Sequence, residues 1–285
     1  MQEINNKNNI DKKEFLRKYG YLHVKDFFSD DQIQSLRNYL DNKKKNNPSE
    51  DIHDILAIEE INHIFLNDKF LNLISNLFGE NVYYFGASTM RYHQNDVDEF
   101  HIDARKDIKL SYQQEYPIYR LGVYLQNHDS WSGGLKLREG SHKKVCIRLS
   151  TFGKIKETIK KVLKNKKNVF DIFFQGKIKN IRSKKNDLII WNMRTHHSGR
   201  FKLLNSFPNL SLHPILEKYL PNFLFRNYEK ERYALFIAFG RNEEDYLDNF
   251  IDDYRSKRFS IIFKNFTENK KKYEDILKRH NINVK

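Results

Sequence analysis

In Phe100-His101-Ile102-Asp103 a histidine and an aspartate stand two residues apart. In extended backbone such positions point to the same side, so one metal ion can take both. A neutral imidazole and a carboxylate, joined by a second histidine from a distant strand, make a facial triad. That triad leaves positions open on iron for a cosubstrate and O2. An isolated His-x-Asp pair arises often by chance, so its surroundings must carry the assignment.

The elements that would position this pair read as follows. Lys13 to Tyr19 forms a short helix and Tyr21 to Lys25 a strand. Ser29 opens a second helix, with Gln32 placed to complete a capping box and Ile33, Leu36 and Leu40 on one face. A further helix carrying Phe70, Leu71, Ile74, Leu77 and Phe78 stops at Gly79, which can take up the backbone conformation of a C-terminal cap. From Val82 the period changes. Val82 to Phe85, Arg120 to Gln126, Leu135 to Leu137, Asp187 to Trp191 and Arg232 to Phe239 are runs rich in β-branched and aromatic residues, as strands require. The loops between them are too irregular for βαβ alternation, which predicts an α+β, mainly β chain with an antiparallel core flanked by helices.

The predicted layout is one domain over 1–285, with a helical part at 1–80, a β core at about 81–240 and helices at 243–285. Two insertions interrupt the core, 144–185 and 201–231. The first holds a Lys-rich helical piece at Lys154 to Lys167; the second contains Pro208, Pro214 and several aromatics. Excursions of this length often act as lids or binding loops. In the tail, Tyr246, Phe250, Ile251 and Tyr254 fall at helical spacing, which predicts a helix packed on the outside of the sheet.

Composition narrows the function classes. The 22 Phe and 16 Tyr supply the buried area that a 39% hydrophobic chain needs for a sizeable core. The longest apolar run, Tyr233 to Phe239, falls far short of a membrane span, and the first residues have no apolar segment fit for a signal peptide. Cys146 is the single cysteine, so no internal disulfide forms; cytoplasm is the expected location. The net charge of +14 is spread along the chain without a basic-aromatic module, so a nucleic-acid partner is not expected.

Several segments, in order, resemble the phytanoyl-CoA dioxygenase family of iron and 2-oxoglutarate oxygenases. Phe15 to Val24 followed by Asp26-Phe27-Phe28-Ser29 is similar to the family's opening helix, strand and turn. After the His-x-Asp pair come the strand Tyr119 to Gln126 and the segment Ser132-Gly133-Gly134-Leu135-Lys136-Leu137-Arg138-Glu139-Gly140-Ser141-His142-Lys143. Asn186 to Trp191 then leads into Arg194-Thr195-His196-His197-Ser198-Gly199. The likeness spans roughly residues 11 to 240.

The resemblance implies a double-stranded β-helix (a jelly roll of the cupin type), Fe(II) held by His101, Asp103 and His197, and 2-oxoglutarate and O2 as cosubstrates. His197 is chosen over His196 because the family's distal histidine lies ten residues after the turn that opens its strand, here Asp187. His196, facing the other way, would pack or orient a ligand. The 2-oxoglutarate carboxylate calls for an arginine, whose fork gives two parallel hydrogen bonds. Arg232 opens the last core strand as in the family, yet 35 residues separate it from His197 where the family has about ten; Arg200 is the competitor. Arg91, Tyr92 and Arg194, near strand ends, are candidates to line the cosubstrate and substrate pocket, and His142 reads as a loop residue. Because related halogenases replace the carboxylate by a small residue, Asp103 points to hydroxylation of a small-molecule substrate. The Lys-rich insertions would suit an anionic one. A non-catalytic binding protein on the same fold and an oxygenase acting on a macromolecule are the alternatives, and the oligomeric state stays open.

Overall fold

Ser29 and Gln32 cap the helix Asp30–Asn46 reciprocally: the Ser29 N–H reaches Gln32 Oε1 at 2.9 Å and the Gln32 N–H reaches Ser29 Oγ at 3.2 Å. In this computed structural model the described residues are 9–46, 52–91, 99–104, 115–145, 176–199, 201–228, 232–243, 246–257 and 266–285, with 156, 159–160 and 163–164. Tyr92, Cys146, Arg200 and most of the Lys-rich piece at 154–167 lie outside them. The helices Asn9–Tyr19 and Asp68–Phe78 fall where the apolar spacing puts them. In the second, Asn67 accepts the Phe70 N–H at its start, and Gly79 at φ 79° ends it.

The strands among the described residues are, in chain order, β1 (Tyr21–Val24), β2 (Ile52–His53), β3 (Val82–Arg91), β4 (Ile118–Tyr124), β5 (Lys136–Arg138), β6 (Ile178–Asn180), β7 (Leu188–Asn192), β8 (His197–Ser198), β9 (Ala234–Arg241) and β10 (Ile282–Val284). The larger sheet runs β1-β7-β4-β9-β3-β10 with β2 beside β3, and the smaller runs β6-β5-β8. Every pairing is antiparallel except β10 with β3. One face of the larger sheet packs on the helices through Leu36, Phe65, Phe70, Leu121, Leu235 and Phe239. Its other face meets the smaller sheet through Tyr124, Ile189, Trp191 and Ala234 against Leu135, Leu137 and Ile181. Each large side chain so buried contributes roughly 1.5–3 kcal/mol, and the space between the sheets is where the site lies.

Three features differ from the sequence expectation. β3 continues past Phe85 to Arg91, with its register to β9 shifting between Tyr84 and Ser88. The C-terminal part is not wholly helical. After the helices Tyr246–Lys257 and Glu274–Arg279 the chain ends in β10, whose Ile282 pairs with Val82. Three residues carry no alternation of their own, so this strand depends on long-range anchors such as the Tyr273 hydroxyl on Asp54 at 3.2 Å. Finally, β6 forms within the first insertion, where only helix was read. The helix Tyr246–Lys257 packs as expected, with Leu247, Phe250 and Ile251 buried and Phe250 edge-on to Phe85. No helix among the described residues is long and apolar enough to cross a membrane.

Candidate metal centre

His101 and His197 face each other across an antiparallel bridge in which each N–H donates to the other's carbonyl at 2.9 Å. Directly opposed residues put their side chains on the same side, and the two rings lie 4.3 Å apart. The Asp103 and Ala104 N–H groups both donate to Met193 O, tying the His-x-Asp segment to the turn between β7 and β8. Asp103 Oδ2 thereby comes to 3.3 Å from His197 Nε2. One ligand atom from each of His101, Asp103 and His197 lies within 4.8 Å of the others, and among the described residues no other such group occurs.

The backbone also sets which nitrogen is offered. His101 Nδ1 donates to Glu99 O at 3.2 Å and His197 Nδ1 to Thr195 O at 3.0 Å, which leaves the Nε2 lone pairs for a ligand. Burial pushes His197 down to about 4, so its ring is neutral at physiological pH. Burial would raise Asp103, but the Arg120 guanidinium, then His197 and His101, outweigh it and hold the carboxyl at about 2. Asp103 Oδ2 is buried, takes no hydrogen bond of normal geometry and has Arg120 Nη1 at 3.1 Å. Two imidazoles that offer Nε2 and an ionised carboxylate with free acceptor capacity fit a divalent cation.

Around this group the inner face of the larger sheet presents Trp191, Phe236 and Tyr124. The indole sits 5.6 Å from the His197 ring and edge-on to Phe236. Gly122 makes room for it: a Cβ there would stand 2.8 Å from the Trp191 ring. Arg232 lies just before β9, donates from Nε to Gly133 O at 3.1 Å and covers the Tyr124 ring at 5.5 Å. Gly199, two residues past His197, faces it so closely that a Cβ would be 3.5 Å from the guanidinium. Arg91 pairs with Ala234, an inward-facing position, and so belongs to the same face.

Other candidates lie elsewhere. Arg194 is buried over the Tyr116 ring at 4.7 Å. His196 turns away from His197 and bonds Lys144 O at 3.0 Å, while His142 bonds Arg17 O at 3.1 Å and fastens the first helix. Sequence reasoning missed Arg120, the cation nearest Asp103. Its signal was the two-residue alternation Arg120, Gly122, Tyr124 within β4, which puts the arginine on the same face as the tyrosine.

Four histidines outside the triad are held neutral by burial, His142 and His196 at about 4 and His128 and His213 at about 3. The unfolded chain protonates them near 6.5, so below that pH it binds more protons than the folded chain. Asp54, pushed up to about 6 by burial, acts in the opposite sense and offsets only part of this. Stability should therefore fall as pH drops from about 6.5 towards 4. A thermal midpoint that stays flat between about pH 7 and 5 would contradict this account.

Several solved structures share this fold. HygX from Streptomyces hygroscopicus with iron bound matches with a TM-score of 0.52 at 15% identity, over 81% of this chain and 86% of that one. HygX with nickel and 2-oxoglutarate matches with a TM-score of 0.52 at 14% identity, over the same shares. EctD from S. alaskensis, with 2-oxoglutarate and 5-hydroxyectoine, matches with a TM-score of 0.52 at 15% identity, over 84% of this chain and 79% of that one. No family model and no curated protein matches the sequence.

Proposed function

We propose that this chain is a cytoplasmic Fe(II)- and 2-oxoglutarate-dependent oxygenase of the phytanoyl-CoA dioxygenase type, one domain over 1–285 on a double-stranded β-helix. It hydroxylates a C–H bond of a small anionic metabolite. The observation that carries the reading is the convergence of His101, Asp103 and His197, each with a ligand atom within 4.8 Å of the others. When bound, the iron and its cosubstrate supply the oxidising chemistry, with O2 consumed and 2-oxoglutarate released as succinate and CO2.

The protein's part is to bind, orient and keep water out. His101, Asp103 and His197 would hold the ion. Arg232, whose guanidinium lies between the Tyr124 ring and Gly199, would hold a carboxylate of the cosubstrate. Trp191, Phe236 and Tyr124 wall the space with apolar surface, which strengthens the charge contacts inside. A cavity of about 420 Å³ lined by Ser198, Gly199, Lys202, Lys218, Arg226 and Glu217 lies on the insertion side of the smaller sheet, the face away from His197. Glu217 is paired with the buried Lys136, so the other three cations give this cavity its charge. The excess of Lys and Arg over Asp and Glu in the chain favours an anionic substrate.

The test is succinate release from 2-oxoglutarate with Fe(II) and O2, counting turnover without substrate as positive. Arg232→Ala is expected to weaken 2-oxoglutarate binding about a hundredfold while leaving metal affinity unchanged, read by titrating the anaerobic Fe(II) protein. No succinate above background, and no 2-oxoglutarate binding by the metal-loaded protein, would sink the assignment.

A further inference from the structure

We infer that Arg120, by setting a fixed positive charge against Asp103, makes the metal-loaded site selective for a dianionic cosubstrate; this rests on the function proposed above. Arg120 lies in the middle of β4, where the register places it between Trp191 of β7 and Ala238 of β9. From there its guanidinium reaches inward to Asp103 Oδ2 at 3.1 Å. Asp103 sits outside any strand, in the short segment joined to the Met193 carbonyl and the His197 bridge. Besides His197 Nε2, Arg120 is the charged group placed against its carboxylate.

The charge balance shows what the arginine adds. With two neutral imidazoles and one carboxylate, a divalent ion would leave the centre at +1, and a dianionic cosubstrate would take it to −1. The guanidinium cation of Arg120 shifts these to +2 and 0. The fixed positive charge opposes the metal alone and favours the dianion that follows, so the complete assembly is neutral in a poorly solvated space. An arginine serving only to hold the fold would affect both binding steps alike.

That difference defines the experiment, which uses the full chain and Mn(II) in place of iron so that no turnover is needed. Arg120→Gln is expected to bind Mn(II) as tightly as the wild type or tighter. Its affinity for 2-oxoglutarate, measured by calorimetry on the Mn(II)-loaded protein, is expected to fall about ten- to a hundredfold. Arg120→Lys, which keeps the charge but not the fork, should recover part of the loss and serves alone if the Gln variant does not fold. Parallel weakening of both steps, no change in either, or a Lys variant as weak in 2-oxoglutarate binding as the Gln variant would overturn the inference. Failure of the wild type to bind 2-oxoglutarate with Mn(II) present would instead overturn the proposed function and this inference with it. Wild-type binding matched by an unaffected Arg120→Gln variant would remove only the role of Arg120.

Discussion

Alanine at His197 is expected to weaken divalent-metal binding more than about a hundredfold and to abolish 2-oxoglutarate turnover, while alanine at the adjacent His196 leaves both near the wild-type level. Residues that merely orient a metal ligand are worth ten- to a hundredfold, so losing a ligand itself should exceed that range. The asymmetry follows from the bridge: His197 lies directly opposite His101 and shares its face, whereas His196 is turned to the Lys144 carbonyl. His196→Ala should cost stability instead, about 1–3 kcal/mol, because it removes a fully buried side chain and its bond to the Lys144 carbonyl. Mn(II) calorimetry and succinate assays on the two variants separate the outcomes. If His196→Ala were the variant that lost metal, the reading of the centre would be wrong.

How much of this centre could be read in advance depended on local geometry. His101 and Asp103 were legible because a spacing of two in extended backbone implies a shared side whatever the rest of the fold does. His197 was picked over its neighbour by the register of a motif, and the structure supplies an independent physical reason in the bridge to His101. Arg120 is hard to place from the sequence because a charged residue within a strand can face either side; its register with Trp191 of β7, which faces the smaller sheet, shows that it points inward. Arg232 was legible as the residue opening β9, but not its approach to Gly199, since nothing local to residue 232 encodes a contact across 33 positions.

The helices were the easiest part of the fold to read, because caps such as Ser29 with Gln32 and Asn67 with Phe70 sit beside the apolar faces they begin. Short strands were the hardest. β6 and β10 have three residues each, too few for a two-residue period to stand out, and their existence depends on β5 and β3 as partners. The insertion from 201 onward was visible as an excursion, but its covering of charged groups on the smaller sheet was not. Lys136 and Arg138 look like surface residues in the sequence and are almost fully buried.

That buried charge leads to the second large effect. Lys136→Met is expected to destabilise the protein by about 3–5 kcal/mol and to expose the insertion 201–228 to proteolysis. Lys136 and Ser198 are register partners, and the lysine projects to the side of the smaller sheet on which the insertion packs. It pairs there with Glu217 and donates to Leu212 O at 2.6 Å, so both contacts hold the insertion down. Removing the lysine leaves the Glu217 carboxylate buried without its cation, whereas replacing both partners by apolar residues should recover most of the loss. Burial already raises Glu217 above its ordinary value. Without Lys136 the carboxyl should rise further and take up a proton as pH falls, so the deficit of Lys136→Met relative to wild type should shrink in acid. Urea unfolding of the single and double variants at two pH values measures both differences. A single variant within about 0.5 kcal/mol of wild type at neutral pH would mean that the insertion is held by something other than this pair.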